Sequence, residues 1–149
     1  IGAQMQGADL SGAQMQGADL NWAQMQGAVL SGAQMQGADL IGAQMQGAVL
    51  SRAQMQGAAL SEAEMQGVVL NGAKMDSATS LFAAILSGAS LREVDYSDVR
   101  ITQAQVDELF YDGSVTFAEG ITRAPGRDEV LDWRDCYSRW RAWQKANGF

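Results

Sequence analysis

Large apolar residues fall on every fifth position from Met5 to Met75 without a gap, methionine and leucine alternating strictly: Met5, Leu10, Met15, Leu20 and onward. Alanine stands two residues before each (Ala3, Ala8, Ala13), with Val68 the exception. Glycine stands two residues after most of them (Gly7, Gly12, Gly17), and Trp22, Arg52 and Glu62 replace it at three positions. A helix does not fit this pattern. Steps of five residues advance about 140° around a helix, so the apolar positions would spiral over every side. The 12 glycines of residues 1–75 would each cost about 1 kcal/mol against alanine there. A continuous strand fails as well, because side chains alternate with period two and an odd repeat flips the apolar set each time. A short extended step followed by a turn satisfies the pattern. In "AQM" the Ala and Met point inward and the Gln outward, and "QG" turns the corner where glycine accepts the backbone angles. Repeating that unit winds a solenoid.

The pattern "GADLSG" at 7–12, together with its near copies, resembles the pentapeptide-repeat family over about residues 1–101. The resemblance implies a right-handed quadrilateral β-helix with four pentapeptides to a coil, an all-β solenoid. This chain departs from the family pattern in carrying Gln before every Met for most of its length, and Met at half of the centres. With twenty residues to a coil, Met5, Met25, Met45 and Met65 stack on one face and Met15, Met35, Met55 and Met75 on the opposite one. Leucines fill the other two faces. Every Met is expected to be buried as a flexible core filler rather than to form a metal-binding stripe.

The register slips once. After Met75 the next centres are Leu81, Leu86, Leu91, Tyr96 and Ile101, with Thr79, Ala84, Ala89, Val94 and Val99 as inward partners. A single-residue bulge near Ser77–Ser80 accommodates the slip. Twenty centres make about five coils, a rod of roughly 24 Å at the spacing between strands. Residues 102–149 are expected to form a helical and irregular cap. Thr102 reads as an N-cap, with Val106, Leu109 and Phe110 as one helical face. Turns are expected at Asp112–Gly113 and Pro125–Gly126. A second helix is expected from an N-cap at Asp128 to Asn147–Gly148, with Val130, Trp133, Tyr137 and Trp140 on one face. It is expected to cover the end of the rod near Tyr96 and Ile101, with Trp140 as its anchor, because stacked strand edges otherwise aggregate.

Charge and composition then narrow the function. The net charge is −7, and residues 1–99 contain only three basic side chains (Arg52, Lys74, Arg92) against nine acidic ones. No basic stripe exists there to hold nucleic acid, so direct nucleic-acid binding is not expected. Histidine is absent, which removes the commonest general base and metal ligand. The single cysteine, Cys136, has no partner motif and reads as a core residue; it also fits a reducing, cytoplasmic location. Asp19 and Asp39 should stack outward, as solvated side chains bonding nearby turn amides rather than as a cation site. No catalytic residue, cofactor or metal site is expected, and no apolar run is long enough to cross a membrane as a helix. The chain opens at Ile1 inside a repeat without an initiator Met, so further sequence before Ile1 is expected in the natural protein.

Two outward features suggest contact with a protein. Asp9 is followed at the same position by Val29, Val49 and Val69, an apolar strip. The C-terminal helix carries Trp133, Trp140, Trp143 and Arg139, residue types that dominate interface hot spots. The expected function is a non-catalytic scaffold or protein-interaction module, binding a partner or pairing as a homodimer through a flat face or this helix. The family resemblance implies an alternative: mimicry of duplex DNA, binding to type II topoisomerase (gyrase) and protection from fluoroquinolones. The outward glutamines are expected to form amide ladders along each Met face.

Overall fold

A computed structural model describes residues 1–122 and 133–149, with nothing said of the Trp133 and Asp135 side chains. Residues 1–74 are stitched by parallel bridges between residues twenty apart. Gln4 pairs with Gln24, Asp9 with Val29, Gln14 with Gln34 and Asp19 with Asp39, and each column continues upward. Three backbone bonds per pentapeptide join neighbouring coils, as where Gln24 N–H donates to Ala3 O (2.8 Å), Met5 N–H to Gln24 O (2.8 Å) and Gly7 N–H to Gln26 O (2.9 Å). Each turn closes on itself, Ala8 N–H donating to Met5 O at 3.1 Å. The residue before that donor lies at positive φ, +63° at Gly7, as the third position of a type II turn requires. Trp22, Arg52 and Glu62 occupy the same position at φ of 59°, 59° and 60°, where a side chain costs about 1–2 kcal/mol. Four bridges and four turns per twenty residues thus wind a β-helix solenoid.

The core is the expected one along most of its length. Met25, Met35, Met45, Met55 and Met65, with Leu30 to Leu60 and their alanines, are fully buried. Met5 and Met15, in the first described coil, are only partly buried. The expectation that every methionine is enclosed therefore holds for the interior coils and fails at the first.

The register slip lies where the spacing places it. Bridges change from twenty to twenty-one residues at Ala59–Ser80, Glu64–Ile85 and Val69–Ser90. Asp76 secures the bulge: its Oδ1 accepts from Gly57 N–H (3.0 Å), Ala78 N–H (3.1 Å) and Thr79 N–H (3.1 Å). The Thr79 hydroxyl in turn donates to Met55 O (3.0 Å). The Gly57 amide, the largest influence, and the other donors hold the Asp76 carboxyl below its ordinary value of 3.8. A carboxyl whose folded value is depressed stabilises the fold above its unfolded value and loses that contribution as pH falls through the folded one. Stability should therefore begin to drop as pH is lowered past about 4. Asp76→Asn should flatten that part of the profile, as read by urea midpoints across the acid range. An unchanged profile would remove Asp76 as the clamp.

Tyr96 occupies a core position, and burial pushes its phenol pKa upward.

Pairing does not end at residue 101. β1 (Ser90–Leu91) pairs in parallel with β3 (Phe110–Tyr111), and β2 (Asp95–Tyr96) with β4 (Thr116–Phe117). The second pair is offset by one further residue, a second slip. Between β2 and β3 stands α1 (Gln103–Asp107), with Thr102 as N-cap in a reciprocal capping box with Gln105. Gln105 Nε2 donates down to Leu81 O (2.9 Å) and Ala84 O (3.0 Å), satisfying carbonyls of the coil below. Val106 and Leu109 are buried, but the helix stops at Asp107 because Phe110 must return to the ladder. Parallel pairing thus continues past residue 101, through Phe117.

The second helix, α2 (Trp133–Asn147), does not cover the end. Phe117 pairs in register above Tyr96. α2 packs against β3 and runs along the side of the rod, and its tail reaches back over earlier coils. The expected N-cap Asp128, Val130 and the Pro125–Gly126 turn lie outside the described residues.

Candidate interaction surface

The valine column is continuous. Val29 bridges Val49, Val49 bridges Val69, Val69 bridges Ser90, and Ser90 pairs with Phe110. All three valines are half-buried, since their Cβ branches fit the pleated surface while one side stays open. The turn column beside them carries Gly47, Gly67 and Gly88 on successive coils, and the tail of α2 rests on it. A Cβ built on Gly47 would lie 3.2 Å from the Phe149 ring, one on Gly67 3.3 Å from Trp143, and one on Gly88 2.2 Å from Trp143. Glycine there is a matter of space as much as of φ. Trp143 stacks on Phe149 with ring centroids 5.6 Å apart and meets Phe110, the top of the valine column, at 6.2 Å.

Trp140 is the buried anchor, as expected: it is 7% exposed and its Nε1 donates to Gly88 O at 2.9 Å. Cys136 is buried on the same helix. Trp143 is half-buried, Arg139 is exposed, and the Trp133 side chain lies outside the description. The structure therefore brings Trp140, Trp143 and Phe110 together at one edge of the valine face and leaves Arg139 apart.

The glutamines are bonded on a diagonal rather than up each column. Gln16 Nε2 donates to Gln34 Oε1 (2.6 Å), Gln26 to Gln44 (2.6 Å) and Gln36 to Gln54 (2.8 Å), each from a turn to the face above. Gln46 donates to the Glu64 carboxylate in the same way. The turn residue reaches back as well as up: Gln34 stands over Gln14, two residues before its donor Gln16. Asp19 and Asp39 do stack, and Asp19 accepts from Asn21 N–H (3.2 Å), the turn role expected of it. Asp9 bonds Ser11, whose hydroxyl and amide hold its carboxyl below the usual range. Among the described residues no group of three or more His, Cys, Asp or Glu could hold a metal ion. No helix among them is long and apolar enough to cross a membrane.

One concavity escaped the sequence reading. A groove of about 860 Å³ is lined by the bulge, Phe82, Val99, Ile101 and Ile121, and Phe82 is 75% exposed at its rim. The slip after Met75 was the available signal, since a displaced turn opens space against the coil above.

Residues 1–32 and 33–72 match the family model described as pentapeptide repeats, in eight copies. No curated protein matches the chain significantly. Among solved structures, a pentapeptide repeat protein (Rfr23) from the cyanobacterium Cyanothece 51142 aligns at 25% identity and TM-score 0.35, over 76% of this chain and 63% of that one. The chain thus spans less than two thirds of that relative. The pentapeptide repeat protein alr5209 from Nostoc Pcc 7120 aligns at 23% identity and TM-score 0.40, over 76% of this chain and 84% of that one. QnrB1, a plasmid-mediated fluoroquinolone resistance protein, aligns at 16% identity and TM-score 0.46, over 89% of this chain and 83% of that one. The family assignment rests on the repeats themselves.

Proposed function

This chain is a pentapeptide-repeat protein, and on that premise we propose that it is a non-catalytic scaffold that binds a partner protein through one flat face of its rod. The finer geometry that the family implies, a right-handed four-sided rod, belongs to the proposal, as does a cytoplasmic location. The valine column carries the reading. Val29, Val49 and Val69 stand in register, half-open to solvent, on a coil whose interior is already filled by Met and Leu. Such a strip adds nothing to the core and suits a flat apolar contact, with the α2 aromatics at its edge.

Val49→Lys tests it. A lysine there keeps the bridge to Val29 and Val69 while placing a charge mid-strip. Association with a partner captured from the native host, or self-association in sedimentation, should weaken roughly tenfold or more, given about 1.4 kcal/mol per decade. Far-UV circular dichroism should not change. Equal association by both proteins would reduce the strip to strand propensity.

Mimicry of DNA has less support. A mimic needs closely spaced negative charge, whereas the column from Asp19 and Asp39 continues through Ala59 and Ser80 to Arg100, ending on a base. The protein should leave gyrase supercoiling, and its inhibition by a quinolone, unaltered.

A further inference from the structure

One of the non-glycine turns carries an aromatic residue. Trp22 holds the positive-φ position that glycine fills at most turns, and its indole lies against Gly42 of the next coil. A Cβ on Gly42 would fall 2.3 Å from the ring, so the contact exists only because residue 42 has no side chain. Despite that seat Trp22 is 57% exposed, and Ile41 beside it is also open to solvent. A large aromatic thus sits on the outside, in a backbone state that disfavours it.

Carboxylates gather around this turn, and the Ile1 amine lies 3.9 Å from Asp19. Glu62 follows Trp22 and Gly42 in the same turn column, Asp19 and Asp39 stack on one adjoining face, and Glu64 stands on the other. No Lys or Arg precedes Arg52 in the sequence. Arg52 and Arg92 line a different groove, on the turn column two turns further round the coil. Arg92 there is paired with Glu93 (3.2 Å) and Asp112 (3.6 Å), so the acidic aromatic edge is the distinctive one.

We propose that the Trp22 edge is a docking point for a partner segment bearing lysine or arginine, its cation lying against the indole while Asp39 and Glu62 supply the counter-charge. The occupant follows from complementarity: an exposed indole prefers a cation at its face, and the neighbouring carboxylates exclude an anionic partner. This surface is separate from the valine column, and either can fail without the other.

The probe is a short Arg-Gly repeat peptide, titrated into the full chain at low salt and followed by indole fluorescence and calorimetry. Trp22→Gly restores the residue that this turn type favours, so the variant folds, and its net charge is unaltered. It should bind the peptide roughly five- to tenfold more weakly. Glu62→Gln with Asp39→Asn should weaken binding as well, whereas Asp95→Asn with Asp98→Asn, the same change of charge elsewhere on the rod, should not. Absence of binding, equal binding by Trp22→Gly and the unaltered chain, or an equal loss from both acidic pairs would overturn the proposal. So would self-association that Trp22→Gly abolishes without peptide, which would make a second copy the occupant.

Discussion

Met45→Asp is expected to leave the chain unfolded under conditions in which the unaltered protein is fully folded. Met45 has no solvent exposure and lies in a column between Met25 and Met65, both equally enclosed. The solenoid closes around each centre with backbone ladders on both sides, so an aspartate there could reach neither water nor a cation. Burying an unpaired carboxylate forces it to protonate or opens the coil, and removing one from water costs several kcal/mol. Domains of this size are stable by only about 5–15 kcal/mol, so that penalty consumes most or all of the margin. Met45→Leu keeps volume and polarity and should cost less than about 1.5 kcal/mol. Met5→Asp provides the sharper control, because Met5 is only half-buried in the first coil. It should be tolerated with a modest loss. Circular dichroism and urea unfolding distinguish the three. A Met45→Asp protein that unfolds at the midpoint of the unaltered chain would mean that the Met face is not an enclosed core.

The contrast between those two methionines marks where the sequence pattern stops being informative. A five-residue repeat with alternating Met and Leu dictates an inward column at each centre, and the slip from Met75 to Leu81 dictates a bulge, because side-chain direction is tied to backbone register. Those inferences concern neighbours along the chain or one coil away, and they hold. The repeat gives every centre the same signature, so Met5 reads like Met45 although the two differ in burial. Past Ile101 the five-residue pattern disappears while the ladder continues through β3 and β4. Pairing needs backbone amides in register, not a repeated side chain, and a helix such as α1 can replace one side of a coil if Gln105 satisfies the exposed carbonyls.

The candidate surface was legible in the same uneven way. Outward valines at a fixed phase must form a column, and they do. The spacing of Tyr137 and Trp140 defines an apolar face on α2 but cannot say which surface receives it. Every coil presents glycine at its turns, so the sequence offers many equivalent seats. The seat used is the Gly47–Gly67–Gly88 column, next to the one outward aromatic at the end of the valine ladder, Phe110. The diagonal glutamine bonds were hidden for a related reason. Column neighbours and diagonal neighbours are both one coil away, and only side-chain direction at the turn decides between them.

Trp140→Ala is expected to detach α2 from the rod while leaving the coils intact. The indole is nearly buried, its N–H is spent on Gly88 O, and Tyr137 lies against it at a centroid distance of 5.8 Å. Truncating a buried tryptophan typically costs about 3–5 kcal/mol. α2 alone is 15 residues long, and a helix of that length is marginal in water without a surface to pack on. The loss should therefore appear as a melted or undocked helix: reduced helical signal, faster amide exchange across residues 133–147, and a rod that unfolds only later. Because α2 packs on β3 and the Gly88 turn, the coils themselves should stay paired and the variant should remain soluble. A second substitution checks the seat from the other side. Gly88→Ala and Gly37→Ala strain the backbone alike, at φ of +69° and +65°, but only the first places a methyl group 2.2 Å from the Trp143 ring. Gly88→Ala should reproduce the detached helix, and Gly37→Ala should show backbone strain alone. If the two glycine variants lose equal stability and keep the same helical signal, α2 does not rest on this column, and the side-docked arrangement is wrong.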